Sequence, residues 1–198
     1  MTNRTVPVGW MGAAFGVALA LAAGVLVYYG TGEKAVRTAL DVTARWSFLL
    51  FWMAYCAGPL GALFRPALAN LSRRGRDFGL AFAAAHLVHV ALIVRLGVIL
   101  DRVPLHGGLL VFFAVALAFT YLLAAMSFGL RLNPLLWRVV MFLGLNYILI
   151  AFGRDFVLGA IKTSTTHKEW WRVLDYTVFA ALCVAALLIR LAASMRRR

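Results

Sequence analysis

The sequence predicts an all-α protein, an integral membrane bundle of six transmembrane helices. Of its 198 residues, 64% are hydrophobic and only 14% are charged, which is too apolar for a water-soluble core of ordinary size. Runs with few or no charges also recur along the whole chain. About 20 apolar residues cross the hydrocarbon as a helix, because a helix satisfies its backbone hydrogen bonds internally.

The helices are predicted from the apolar runs and from the residues that flank them. The last two runs are short between charges, so their helices extend into the flanks, with Arg190 snorkelling to the headgroups. We expect the first helix to be retained, because no small-residue cleavage motif follows it. The chain is predicted as one domain, residues 1–198, with helices at about 8–29, 46–64, 78–100, 107–130, 135–161 and 170–192.

The distribution of basic residues predicts a multi-pass membrane protein with both termini in the cytoplasm. The densest basic clusters, such as Arg73, Arg74 and Arg76, lie on the predicted side of the termini, and every acidic residue except Asp77 lies on the other. The net charge of +13 is scattered over the loops, where lipid headgroups are the natural partners. No nucleic-acid motif accompanies it, so we predict no nucleic-acid partner.

Two histidines interrupt an otherwise apolar stretch, "RRGRDFGLAFAAAHLVHVALIVRL", at positions His86 and His89. Residues three apart lie on one face of a helix, and ionisable groups in hydrocarbon point into the bundle. Three roles are open for them: axial ligands of a haem iron, members of a proton or quinone site, or hydrogen-bonding residues between helices.

The segment around these histidines, "RWSFLLFWMAYCAGPLGALFRPALANLSRRGRDFGLAFAAAHLVHV", resembles the second and third helices of the ferric reductase-like transmembrane family. It is similar in particular to the haem-bearing membrane subunits that serve periplasmic methionine sulfoxide reductases. The matching features are Pro59-Leu60, Arg73-Arg74, Gly79-Leu80, Ala81-Phe82 and His89.

This resemblance implies a haem b electron-transfer subunit in a bacterial inner membrane, with His89 as the first candidate ligand and His86 as the second. Electrons would pass toward the outer side, from a separate donor such as a quinol or a reductase partner to a separate acceptor. The chain has no glycine-rich nucleotide fingerprint, so we do not expect it to carry its own flavin or nicotinamide module.

The predicted fifth helix departs from the family pattern, which places two histidines there. In "WRVVMFLGLNYILIAFGRDF" the corresponding positions are Met141 and Arg154. Met141 could complete a His/Met iron site with His86, or it could simply pack. If the third and fifth helices cross the membrane at matching levels, Asn146 lies at the depth of His86.

Other polar residues also bear on a cofactor. Arg154 could neutralise a haem propionate, or it could mark the end of a helix at the interface. His167, in a predicted outer loop, is a candidate substitute ligand. Four further polar residues could bond between helices or line a quinone or pigment pocket; these are Tyr55, Tyr121, Asn146 and Tyr147.

Three functions are therefore compatible with the sequence. The first is the haem b electron-transfer subunit that the resemblance implies. The second is a haem-free member of the same fold, acting as a structural or assembly subunit of a membrane complex, which the missing fifth-helix histidines favour. The third is a carrier or channel with a histidine proton relay, which the scarcity of acidic groups within the helices opposes.

Overall fold

The computed structural model describes residues 8–130, 132–165 and 170–196, and in these ranges the chain is helical apart from short turns. Six helices are long and apolar enough to cross a membrane, which confirms the predicted all-α multi-pass class. The helices are α1 (Val8–Tyr29), α2 (Glu33–Leu63), the short α3 (Ala69–Arg73), α4 (Gly75–Leu100), α5 (Gly107–Phe128), α6 (Pro134–Thr165) and α7 (Trp170–Met195).

The main difference from the predicted ranges is that α2 begins at Glu33 rather than Trp46. An i,i+4 ion pair between Arg37 Nε and Glu33 Oε1, at 2.8 Å, stabilises this polar extension on its exposed side. The other side buries small and branched residues that include Val36. Hydropathy locates only the part of a helix that crosses hydrocarbon, so it does not detect an amphipathic continuation of this kind.

Successive membrane helices run in opposite directions, so the bundle has two ends. The Val8 face is the end where α1 begins and α7 ends, and the Glu33 face is the end where α2 and α7 begin. Helix α2 packs against α1, α4 and α7, and α4 also packs against α1. Helix α6 has its close backbone neighbours in α5 and α7.

Six phenylalanine rings fill the interior between α2, α4, α6 and α7, and we call them the aromatic column: Phe48, Phe51, Phe82, Phe152, Phe156 and Phe179. Phe48 lies at the centre of one part, with its ring centroid 5.0 Å from that of Phe156 and 5.3 Å from that of Phe152. Phe51 continues the column to α4, 5.4 Å from Phe82. Large rings therefore bridge the distance between α6 and the pair α2 and α4.

Arginines at the Val8 face bind the ends of neighbouring helices. Arg76 Nη2 donates to the carbonyl of Ser127 at 2.6 Å, and Arg196 donates to the carbonyl of Leu63. These carbonyls belong to the last turns of α5 and α2, where no partner remains within the helix and the helix dipole is negative. Basic side chains at this face therefore stabilise the fold as well as meeting the headgroups.

The close contact between α6 and α7 provides a test of this packing. A Cβ at Gly159 would lie 2.5 Å from a ring carbon of Tyr176, and the Arg45 guanidinium lies 4.9 Å from the centre of that ring. We expect Gly159→Ala to lower the free energy of unfolding by about 1–3 kcal/mol, because the ring or the helix must move. Reversible unfolding in mixed micelles, followed by tryptophan fluorescence, measures this effect.

The matched control is Gly153→Ala in the same helix, where the added Cβ would meet Cys183 at 3.8 Å, an ordinary contact. We expect this control to unfold like the parent protein within about 0.5 kcal/mol. Equal losses of unfolding free energy in the two variants would show that the contact between Gly159 and the Tyr176 ring is less close than described.

Candidate functional site

The two intramembrane histidines lie in the middle of α4 and form a stacked pair. The ring centroids of His86 and His89 are 5.1 Å apart, with an interplanar angle of 18°. As the spacing predicts, both rings point into the bundle from one face of the helix, and both side chains are partly buried. His89 points toward α2 and His86 toward α6.

His89 is hydrogen-bonded to a threonine of α2. Its Nδ1 lies 3.2 Å from the Oγ1 of Thr43, a residue with no exposed surface. The Thr43 hydroxyl donates its single proton within its own helix, to the carbonyl of Ala39 at 2.8 Å. With that proton placed on the Ala39 carbonyl, the hydroxyl oxygen can accept an N–H from His89 Nδ1, and the His89 ring is also within hydrogen-bond reach of the Leu40 backbone.

His86 lacks such a partner. Its ring lies against Phe82, at 5.3 Å, and against Phe152, at 6.4 Å, both measured between ring centroids. Its Nδ1 is buried and has no hydrogen-bond partner among the described residues. Buried polar atoms are almost always satisfied, so this nitrogen is the least explained polar atom near the middle of the bundle.

A haem b with two axial ligands holds its iron between two donor side chains. Such an iron needs donor atoms on opposite sides of a flat macrocycle, whereas His86 and His89 stack on one helix face. On the facing helix, Phe152 lies opposite His86 and Phe156 continues the aromatic column. His86 and His89 therefore cannot serve as opposite ligands of one iron, and the α6 side chain beside His86 is a phenylalanine, which has no donor atom for iron.

Met141 does not approach His86 in the structure. The α6 residue beside the His86 ring is Phe152, so the expectation that Asn146 lies at that depth is wrong. Met141 precedes Phe152 by about three helical turns, which is roughly 16 Å along the axis. The prediction assumed that α4 and α6 begin at the same depth in the membrane. The position of a helix end in the sequence does not determine that depth.

Arg154 contacts α5 rather than the histidines in the structure. Phe152 and Arg154 are two positions apart in α6 and so lie on different faces. The Arg154 guanidinium lies 5.8 Å from the ring centroids of both Phe112 and Phe113 in α5, and its Nη1 is 3.5 Å from Asp155. His167, the predicted substitute ligand, lies outside the described residues.

Three of the four further polar residues bond between helices. The Tyr55 hydroxyl donates to Asn146 Oδ1 at 2.9 Å, which joins α2 to α6. The Tyr147 hydroxyl donates to the Phe112 carbonyl at 3.2 Å, which joins α6 to α5. The Tyr121 hydroxyl is buried and has no partner among the described residues. Arg190, expected to snorkel to the headgroups, lies 4.8 Å from the centre of the Tyr55 ring.

Thr43 is the site residue that sequence reasoning missed. It belongs to the polar extension of α2, before the apolar run that marked the predicted helix. Thr43 and Ser47 are four residues apart and both fully buried. This spacing of two small hydroxyl residues on one helix face was the available signal.

The rest of the described chain adds no metal site to this pair. Within residues 8–130, 132–165 and 170–196, no group of three or more histidine, cysteine or acidic side chains could hold a metal ion. No protein-family model, curated protein or solved structure matches the chain.

The bond between Thr43 and His89 can be tested by Thr43→Val, which keeps the shape of the side chain and removes the hydroxyl. We expect the free energy of unfolding to fall by about 1 kcal/mol, because His89 Nδ1 loses its partner in a medium without water. Unfolding in mixed micelles measures the difference.

Thr120→Val is the control, since the buried Thr120 hydroxyl bonds only within α5, to the Ala116 carbonyl at 2.9 Å. This variant should lose clearly less stability than Thr43→Val. The same loss in both would mean that the bond between α2 and α4 contributes nothing.

Proposed function

We propose that this protein is a haem-free member of the ferric reductase-like type of membrane bundle and acts as a structural or assembly subunit of a membrane complex. The observation that carries this proposal is the position of Phe152, whose ring lies opposite His86 within the aromatic column. A phenylalanine cannot ligate iron, and the ring of Phe152 contacts other aromatic rings of the apolar interior.

The polar side chains of the interior support the same function. His89, Tyr55 and Tyr147 each bond to a neighbouring helix, so they stabilise helix association rather than present free groups to a substrate. A bundle of this kind offers a rigid membrane-embedded body for a partner subunit.

The decisive measurement is a pair of absorption spectra, oxidised and dithionite-reduced, of protein produced with added haem and purified in mild detergent. We expect folded protein without a stoichiometric Soret band, together with a membrane partner that copurifies in fixed proportion. A Soret band with sharp reduced α and β bands would contradict the proposal.

A haem b electron-transfer subunit is the second candidate, and one atom favours it. His86 Nδ1 is buried and has no hydrogen-bond partner among the described residues. The second donor would then come from outside the described residues, and the electron donor and acceptor would be separate proteins or quinones.

His89→Ala separates the two candidates, with His106→Ala in an exposed turn as the matched control. If haem is bound, His89→Ala should remove it while His106→Ala keeps the parent spectrum. The haem-free function requires that all three proteins show no stoichiometric haem.

We also propose that the Val8 face lies in the cytoplasm of a bacterial inner membrane. The support is the cluster of basic residues at this face, Arg65, Arg73, Arg74, Arg76, Arg138 and Arg196. The two native cysteines are buried, so cysteines introduced at exposed positions can report the topology.

In intact spheroplasts, an impermeant maleimide should label Arg102→Cys, at the Glu33 face, and leave Asn70→Cys, at the Val8 face, unlabelled until lysis. Both native side chains are exposed. The reverse labelling pattern would place the Val8 face outside.

A further inference from the structure

A polar cavity of about 840 Å³ opens at the Glu33 face, between the start of α2, the end of α6 and the start of α7. Its volume is within the range of about 300–1,000 Å³ that is typical of small-molecule sites. Its charged lining residues are Glu33, Lys34, Arg37, Asp41, Lys162 and Arg172.

The charges of this lining favour an anion. Four of these side chains are basic and two are acidic, and the carboxylate of Glu33 accepts a hydrogen bond from Arg37. Asp175, in the first turns of α7, is engaged in an ion pair with Arg45. The acidic groups therefore do not outweigh the basic ones, and an entering anion meets a net positive lining.

The helix ends add to the positive potential. Helices α2 and α7 begin at the cavity and α6 ends there, so the positive ends of two helix dipoles and the negative end of one point toward it, and their net contribution is positive. The N-cap of α2 is Gly32, which has no side chain to bind the N–H groups of the first turn. These groups remain available to water or to an anionic ligand.

The position of the cavity indicates the kind of anion. Its α2 residues precede Trp46, where the apolar run of α2 begins, by roughly 1.4 to 3.6 helical turns, and the exposed Trp170 and Trp171 start α7 at the same face. Tryptophans at helix ends are typical of the headgroup level of a bilayer, and phosphate is the anion that recurs at this level.

We propose that this cavity binds a phosphate group, carried either by an anionic phospholipid headgroup or by a soluble phosphate compound. Arginine and lysine side chains bind phosphate through charge-assisted hydrogen bonds, and the helix N-termini contribute further donors. The proposal rests on the cavity alone and is independent of whether the protein binds haem.

The test compares two sources of phosphate on the full chain, purified in an uncharged detergent and washed free of lipid. In the first arm, inorganic phosphate and pyrophosphate are titrated at constant ionic strength. In the second, the protein is placed in nanodiscs of phosphatidylcholine alone, or of equal parts phosphatidylcholine and phosphatidylglycerol. The thermal midpoint is recorded in each case, since a ligand that binds the folded state raises it.

The variants are Arg172→Gln and Lys34→Gln in the cavity, with Arg102→Gln as the control at the same face outside it. Each removes one positive charge. We expect about tenfold weaker binding in either cavity variant and no change in the control. If Arg172→Gln fails to fold, Lys34→Gln, in the exposed first turn of α2, still decides the question.

A higher thermal midpoint with phosphate or pyrophosphate in detergent would identify a soluble ligand. A higher midpoint only in the nanodiscs that contain phosphatidylglycerol would identify a lipid headgroup. Either result supports the site if the cavity variants lose this stabilisation. No stabilisation in either arm would overturn the proposal. An equal loss in Arg102→Gln would also overturn it, because the effect would then be the general charge of the face.

Discussion

The polar side chains of α2 carry the bonds on which the rest of the bundle depends. Within hydrocarbon the hydrophobic effect does not drive helices together, so association relies on packing and on interhelical hydrogen bonds. Four residues of α2 each reach a different helix: Thr43 binds α4, Trp46 binds the Ala14 carbonyl of α1, Trp52 binds the Leu182 carbonyl of α7, and Tyr55 binds α6. Helix α2 therefore determines where four other helices lie.

This arrangement also explains the chemistry of the interior. The bonds of α2 bring α4, α6 and α7 around one space, and the aromatic column fills that space from Phe179 to Phe82. Polar groups at its edge bond to helices, as His89 does, or stay unsatisfied, as His86 Nδ1 does among the described residues. Most side chains of the interior thus serve packing, and the His86 and His89 imidazoles are the groups there that could take part in chemistry.

The fold class could be predicted from the sequence because hydropathy measures the apolar character that a helix needs to cross a bilayer. The i,i+3 spacing likewise predicted that His86 and His89 share an interior face, since that depends on helix geometry alone. The relative heights of α4 and α6 were not predictable, because they depend on packing between helices far apart in sequence. The first turns of α2 were missed because polar residues there serve an amphipathic helix rather than a loop.

The partners of α2 differ in the order in which the ribosome makes them. Domains and helices that are synthesised first can pack first. The helices that bind Trp46 and Thr43, α1 and α4, leave the ribosome before α6 and α7, which bind Tyr55 and Trp52. During synthesis, α1, α2 and α4 are thus complete before α6 and α7 supply the opposite wall of the aromatic column. Until then, Phe48, Trp52 and the His86 ring lack the groups of α6 and α7 that they contact in the complete bundle.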